Sequence, residues 1–513
     1  MVRRWPIYIL LDCSESTSPE SREQIASAFS ILLSRLKSDP YALELVYLSV
    51  ISFGSNARIE LPLTGLVDFE RPELAKLGTG RVLGEALALV TDTAKEEVKK
   101  REEEGEQRNF EPFVFIITAG SPTDEWTKGL KLFKSCRWGN VICCATNDAD
   151  QDILRQVSEG FVIELNSAEE AFNTLDLYSW VEASVKTSPE PPFFDPPIPK
   201  ATPVTAKKLG TIIQLTDKEG AVFEYDEQSP AESKDYTDEI FFSPDLSYRV
   251  QVFRRTQYPS KEMLERLEAI VNKYGREICS GPQGEYWKKL FNWPTDILID
   301  ENRVVYLITP NLEKEFFFTT GSKKNDMLRI KGKEKNGKWF ASANHQQAHL
   351  DFSERGDWNR YFQCCIKIAR GGRRLHAAGI YGNGFLAPWN ILFDPLGGNI
   401  MFTQVHEFLV PGMSHIQGSS GCEAPEFLTA MRGSDWNPEE LPLGQETDLH
   451  ALPVLIYMYL LYRHPLRGKK HHSNEPTEDE SLMMGSQALF VEHPSDKTNR
   501  TNPADLKSTY LPY

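Results

Sequence analysis

Ile7-Tyr8-Ile9-Leu10-Leu11-Asp12-Cys13-Ser14-Glu15-Ser16 decides the fold of the first part of the chain. Five consecutive apolar residues, with no alternation, read as a strand buried on both faces, as in a parallel sheet. The run ends abruptly on a carboxylate followed by hydroxyls. Open parallel sheets bind ligands outside the carboxyl ends of their strands, so Asp12, Ser14 and Ser16 mark a candidate binding edge. The pattern repeats further along. Apolar runs at 43–53, 113–118, 140–145 and 161–165 alternate with helical patterns such as 22–37 and 83–100. Strand and helix in alternation predict a doubly wound parallel α/β sheet. The mixed-charge run 95–107 reads as the solvated end of a helix and a loop.

Composition narrows the function classes. At 513 residues the chain has room for two to four domains. A net charge of −16 argues against a nucleic-acid partner, which needs clustered Lys and Arg. The eight Cys lack metal-ligand spacing, and the adjacent pairs Cys143-Cys144 and Cys364-Cys365 are poorly placed for disulfides, so a reduced, cytoplasmic location is expected. The N-terminus does not read as a signal peptide, and no run approaches the length of a membrane span. Seven prolines between 189 and 203 give a semi-rigid linker over 186–206. It separates a first domain at 5–185 from a second at 207–513. The second restarts with strands at 211–215, 221–225 and 248–253. A helix follows near 260–274, then strands at 296–299 and 304–308. Helical stretches come at 358–378 and 448–462, and the polar stretch 469–481 reads as a loop.

On these residues, 5–185 resembles a von Willebrand factor A domain, and more narrowly its bacterial tellurium-resistance type. The resemblance implies a divalent-cation site on three loops. The first, Asp-x-Ser-x-Ser, is met by Asp12, Ser14 and Ser16, oxygen donors suited to a hard cation. The second places a Thr where Arg81 stands in Gly80-Arg81-Val82-Leu83-Gly84; Thr79 would replace it only if the loop slipped. The third, Thr-Asp-Gly-x-Pro-Thr-Asp, is met by Thr118-Ala119-Gly120-Ser121-Pro122-Thr123-Asp124, so Ala119 replaces the second carboxylate. One carboxylate and two hydroxyls make a poor cage for Mg²⁺. Two readings remain. The Arg81 guanidinium takes the metal's place and pairs with Asp12 through two parallel hydrogen bonds, or Asp12, Ser14 and Ser16 merely cap the next helix and close the loop.

Residues 207–513 resemble a bacterial protein-kinase-like domain, an α+β fold often found beside such A domains. The resemblance implies four chemical checkpoints, and each departs from the pattern. In the phosphate-covering loop, matched to 215–223, only Gly220 remains of the glycines; Leu215 and Asp217 hold the other positions. Gln251 stands at the phosphate-holding Lys, leaving Glu265 or Glu268 on the next helix without that partner. Counting five residues back from Asn390, the expected metal-binding amide, reaches Phe385 where the catalytic Asp belongs, or Gly384 with an insertion; neither accepts a proton. His406 replaces the metal-binding Asp, with Glu407 a ligand only after a register slip. The framework remains: Ala424-Pro425-Glu426 matches the motif closing the activation segment, and Asp448 matches the buried brace of the catalytic loop. The domain ends short of the last helices expected of it. His345 and His349, at helical spacing, and His471-His472 complete no metal set.

These readings lead to a non-enzymatic scaffold or adaptor, a pseudokinase fused to an A domain, in a bacterial stress-response or tellurite-resistance type of phosphorylation module. Protein partners are expected, a cognate kinase or phosphatase among them, with neither Mg²⁺ nor ATP as cofactor. The rival readings are an atypical kinase and a nucleotide-sensing switch.

Overall fold

In a computed structural model, the chain falls into two compact units, Met1–Ser188 with Ser473–Glu480, and Pro189–His472 with Ser481–Tyr513. The structure describes residues 4–74, 76–104, 108–146, 149–158, 162–164, 202–217, 220–228, 238–253, 261–382, 386–408, 421–430, 444–502 and 505–510.

The first unit is built on a six-stranded sheet of order β3-β2-β1-β4-β5-β6. Its strands are β1 (Trp5–Asp12), β2 (Val46–Phe53), β3 (Ala57–Gly65), β4 (Phe113–Thr118), β5 (Asn140–Ala145) and β6 (Val162–Glu164). All pairings are parallel except β2 with β3. Every residue of β1 is buried, as an unbroken apolar run requires of a central strand. Helices α1 (Pro19–Ser38), α2 (Pro40–Leu45), α3 (Leu83–Glu103), α4 (Trp126–Phe133) and α5 (Gln151–Ser158) complete the alternation.

Two local features depart from the sequence reading. The stretch 43–53 is not one strand. The Asp39 carboxylate accepts from the Tyr41 and Ala42 amides and starts α2 with Pro40 in its first turn, so β2 begins only at Val46. β3 went unread because its pattern, Ala57-Arg58-Ile59-Glu60-Leu61-Pro62-Leu63, is half polar and contains proline. Such a strand fits only a sheet edge, where β3 lies. Two glycines then fix the binding edge. A Cβ on Gly129 of α4 would stand 2.0 Å from the Gly84 carbonyl oxygen, so α3 and α4 touch backbone to backbone beside the loops that precede them.

The second unit opens with a seven-stranded sheet of order β10-β11-β13-β12-β7-β8-β9. Its strands are β7 (Thr202–Leu209), β8 (Ile212–Asp217), β9 (Val222–Asp226), β10 (Asp238–Phe242), β11 (Tyr248–Phe253), β12 (Asp296–Asp300) and β13 (Val305–Pro310). Helix α6 (Lys261–Glu268) lies between β11 and β12 in the chain and widens into a π-helical turn over Ala269–Gly275. There the Trp293 indole donates to the Ile270 carbonyl at 2.8 Å, in space that a Cβ on Gly275 would fill. A mainly helical region follows, with α7 (Gly284–Leu290), α8 (Trp358–Ala377), α9 (Pro425–Ala430) and α10 (Gln445–Leu461) around the hairpin β14 (Ile391–Asp394) and β15 (Asn399–Phe402).

Here too the sequence reading needs correction. β7 begins at Thr202, inside the stretch read as linker, and pairs in parallel with β12. β10 went unread and pairs with β11. The helix Pro476–Met484 begins inside the stretch read as a polar loop. Among the described residues no helix is long and apolar enough to cross a membrane.

Candidate functional site

The binding edge of the first unit is assembled around Asp12, the last residue of β1. Its side chain has no solvent exposure. Oδ1 accepts from the Ser14 amide at 3.0 Å. Oδ2 accepts from Thr118 Oγ1 at 3.0 Å, the Ala119 amide at 3.1 Å and Arg81 Nε at 2.9 Å. A buried carboxylate is tolerated only when paired and hydrogen-bonded, and Asp12 is both.

Arg81 reaches it from the loop before α3. The loop is tied to the third loop at both ends of the residue: the Arg81 amide donates to Thr123 Oγ1 at 2.8 Å, and the Arg81 carbonyl accepts from the Thr123 amide at 2.9 Å. Asp124 Oδ2 accepts from the Glu85 amide at 3.1 Å and so satisfies an amide in the first turn of α3, which has no side-chain cap of its own. The guanidinium lies flat against Gly120, whose Cβ would stand 2.6 Å from Arg81 Cζ. Its contacts differ from the two parallel bonds of the sequence reading. Nε serves Asp12, while Nη2 donates to Thr17 Oγ1 at 3.2 Å.

The hydroxyls close the loop. Ser14 Oγ bonds Thr17 Oγ1 at 2.9 Å, and Ser16 Oγ donates to the Thr79 carbonyl at 3.1 Å. They do not cap α1. Ser18 does that, accepting from the Ser21 amide. Thr79 is exposed and contributes its backbone, so the slipped loop is not the one observed. Ala119 contributes only its amide to Asp12. Thr17, Thr118 and Gly120 were not singled out from sequence. The signal was present in Thr118 and Gly120, which flank Ala119 in the third-loop motif.

This donor set is a poor fit to a divalent cation. Asp12 is committed to three N–H groups and one hydroxyl, a guanidinium adds positive charge, and Ala119 has no oxygen donor in its side chain. Cys13 offers no thiolate. Burial first, then the charges of Asp12 and Glu60, push its thiol up to about 12 against the pull of Arg58.

In the second unit Gln251 is buried on β11 between Ile240 of β10 and Leu307 of β13. The loop matched to 215–223 closes the β8–β9 hairpin. Gly220 sits there at φ +87°, and the Asp217 carboxylate accepts from the Ala221 amide at 2.7 Å.

On α6 the buried cation is Arg266, its guanidinium 3 % exposed, with Nη2 at 3.1 Å from Glu407 Oε2. Burial lowers the Arg266 pKa and Glu407 partly restores it. His406 Nε2 lies 3.5 Å from Glu407 Oε1 in the buried turn Val405–Glu407. Glu407 is therefore engaged by a cation of the protein itself.

Asp448, buried on α10, holds the segment after α8. Oδ2 accepts from the Gly382 amide at 2.7 Å and lies 2.9 Å from His376 Nε2. Asn390 is buried at the end of the turn Pro388–Asn390, and its carbonyl accepts from the Thr403 amide at 2.9 Å. Phe385 and Gly384 lie outside the described residues. Glu426 is exposed on α9, where it faces His450, while the buried glutamate of this segment is Glu423. His345 is buried, with Nδ1 at 3.4 Å from the Lys338 carbonyl, and among the described residues no His, Cys, Asp and Glu cluster has the makings of a metal centre.

Comparison with known proteins follows this division. The family model for the von Willebrand factor type A domain matches residues 7–176. No curated protein matches the chain. Among solved structures, proximal thread matrix protein 1 from the mussel byssus is similar at 15 % identity and a TM-score of 0.26, covering 33 % of this chain and 46 % of that one. The match thus spans less than half of the byssus protein. Vaccinia related kinase 3 is similar at 15 % identity and a TM-score of 0.33, over 56 % of this chain and 78 % of that one. The Cydia pomonella granulovirus kinase is similar at 13 % identity and 0.32, over 53 % and 82 %. The chain thus holds an A-type α/β sheet over the matched residues, followed by a unit of mixed strands and helices.

Proposed function

We propose that the chain is a non-catalytic interaction protein, an A domain that docks a protein partner at its loop edge without a metal ion, joined to a pseudokinase. The reading rests above all on one observation: Arg81 Nε lies 2.9 Å from Asp12 Oδ2, on the carboxylate that would anchor a cation. A fixed guanidinium makes the edge a pre-organised surface whose charge does not depend on a dissociable ion. The kinase-like unit supports the reading with Gln251 at the phosphate-holding position and Arg266 on Glu407. Its role is to hold or regulate a partner, a kinase or a phosphatase, in a cytoplasmic module of the stress-response or tellurite-resistance kind.

Two measurements on the full chain test this. Calorimetric titration with Mg²⁺ and Mn²⁺ is expected to give no binding heat, and incubation with γ-labelled ATP and Mg²⁺ no phosphoryl transfer. Micromolar metal binding abolished by Asp12→Ala would overturn the metal-free edge. Turnover by the purified chain would overturn the pseudokinase and favour the atypical-kinase reading.

A further inference from the structure

The segment 319–338 reverses the charge of the molecule around it. It carries seven Lys and Arg against two carboxylates, in a chain of net charge −16. Lys323, Lys324, Arg329 and Lys331 are exposed, and among the described residues no carboxylate forms an ion pair with Lys324, Arg329 or Lys331.

Nor is the segment a loose surface loop. Lys324, Asn325 and Asp326 occupy the left-handed region in succession, at φ 53°, 56° and 58°, and Arg329 joins them at 56°. Consecutive side-chain-bearing residues avoid this region because Cβ crowds the following carbonyl, so the turn needs external support. Two buried or half-buried carboxylates supply it. Asp326 Oδ1 accepts from the Ser322 amide at 2.9 Å and the Ile330 amide at 3.0 Å, and Oδ2 from the Lys331 amide at 2.9 Å. Glu354 Oε1 gathers the amides of Thr319, Thr320 and Gly321, while Oε2 lies 3.1 Å from Lys335 Nζ. Asp326 and Glu354 are thus turned onto backbone amides and onto Lys335, Glu334 pairs with Arg249 at 2.8 Å, and Asp351 accepts from the Ser353 amide and hydroxyl.

Apolar surface adjoins the cations. Met327 is 48 % exposed within the segment, and Phe352 is 85 % exposed. Phe352 is placed beside the segment by the Asp351 amide on the Gly321 carbonyl at 3.1 Å and by Ser353 Oγ on Thr320 Oγ1 at 3.1 Å. An aromatic ring left in water beside a rigid cationic turn is the composition of an interface anchor with a charged rim.

We propose that the turn 322–331 with Phe352 is a docking surface for an acidic protein segment that carries an apolar residue among its carboxylates. The surface belongs to the second unit, and the proposal does not depend on the reading of the A-domain edge. A peptide is favoured over a nucleic acid or an anionic membrane because the basic residues are confined to one short turn. An extended polyanion would also meet the negative field of the rest of the chain.

The test uses the full chain and a short fluorescein-labelled peptide of glutamates around a central phenylalanine, with the glutamine version as control. Fluorescence anisotropy should show the glutamate peptide binding and weakening as salt is raised. Lys324→Glu with Arg329→Glu, both exposed, should reduce affinity about tenfold or more while leaving the circular dichroism unchanged. Phe352→Ala should weaken binding at constant salt dependence. Asp326→Asn, which keeps every surface cation but loosens the turn, should weaken it too. If the charge reversal disturbs the fold, the neutral pair Lys324→Gln with Arg329→Gln carries the same prediction. Equal binding of the glutamine peptide, or unchanged affinity in the charge variants, would overturn the proposal. So would single-stranded RNA or phosphatidylserine vesicles binding through these residues and not being displaced by the peptide.

Discussion

The Arg81 guanidinium on Asp12 can be removed in two independent ways, and comparing them isolates its contribution. Arg81→Ala deletes the partner of a fully buried carboxylate. Breaking a buried pair from one side destabilises by about 3–5 kcal/mol. Asp12 keeps Thr118 Oγ1 and the amides of Ser14 and Ala119, so a cost at or just below the foot of that range, about 2–3 kcal/mol, is expected. Gly120→Ala should act on the same contact. Its Cβ would stand 2.6 to 2.9 Å from Arg81 Cζ, Nη1 and Nε, too close for the guanidinium to remain. Gly120 is not among the positive-φ glycines, so alanine adds no backbone strain. Each single change should lower amide-exchange protection in β1 and β4 of the full chain by about 30- to 150-fold. The double variant should be little worse than Arg81→Ala alone, because the added methyl then meets space the side chain has left. The coupling would be about 2 kcal/mol. Full additivity would refute the account, since it would mean that Gly120 matters for some reason other than making room for Arg81.

Three further outcomes are expected. Arg81→Thr with Ala119→Asp restores a hydroxyl and a carboxylate to the edge, and Mn²⁺ titration should give a binding heat that the unaltered chain lacks; equal heats would count against the role given to these positions. Glu407→Gln strands Arg266, whose Nε and Nη1 have no hydrogen-bond partner among the described residues, and should destabilise the second unit by about 3 kcal/mol in urea melts, most of it regained with Arg266→Met. His464 is held neutral: Nε2 donates to the Gly421 carbonyl at 2.7 Å, Nδ1 accepts from the Leu466 amide at 3.1 Å, and burial, with Arg467 adding to it, brings its pKa down to about 3. The folded pKa lies below the ordinary 6.5, so this contribution is complete above pH 6.5. It falls away by a few kcal/mol as pH drops from 6.5 towards 3. His464→Gln should flatten that part of the stability–pH curve.

By itself the sequence determined what is written in local order. An unbroken apolar run at 7–11 admits only a buried central strand, and the loop motifs were enough to point to Arg81 and Ala119, both of which the fold brings to Asp12. Asp448 was legible in the same way, as a carboxylate on an apolar helix, and the fold has it holding the Gly382 amide. The half-polar edge strand β3 and strand β10 gave no such signal. Contacts between distant residues belonged to the tertiary structure. Arg81 and Asp12 are 69 positions apart, and Arg266 and Glu407 are 141 apart. Which oxygen is already taken, which of three neighbouring helix residues faces inward, and whether Glu426 or Glu423 is buried depend on which groups compete for the same few ångströms. Periodicity reports the face of an element, whereas hydrogen-bond partners are settled by that competition once the elements have packed.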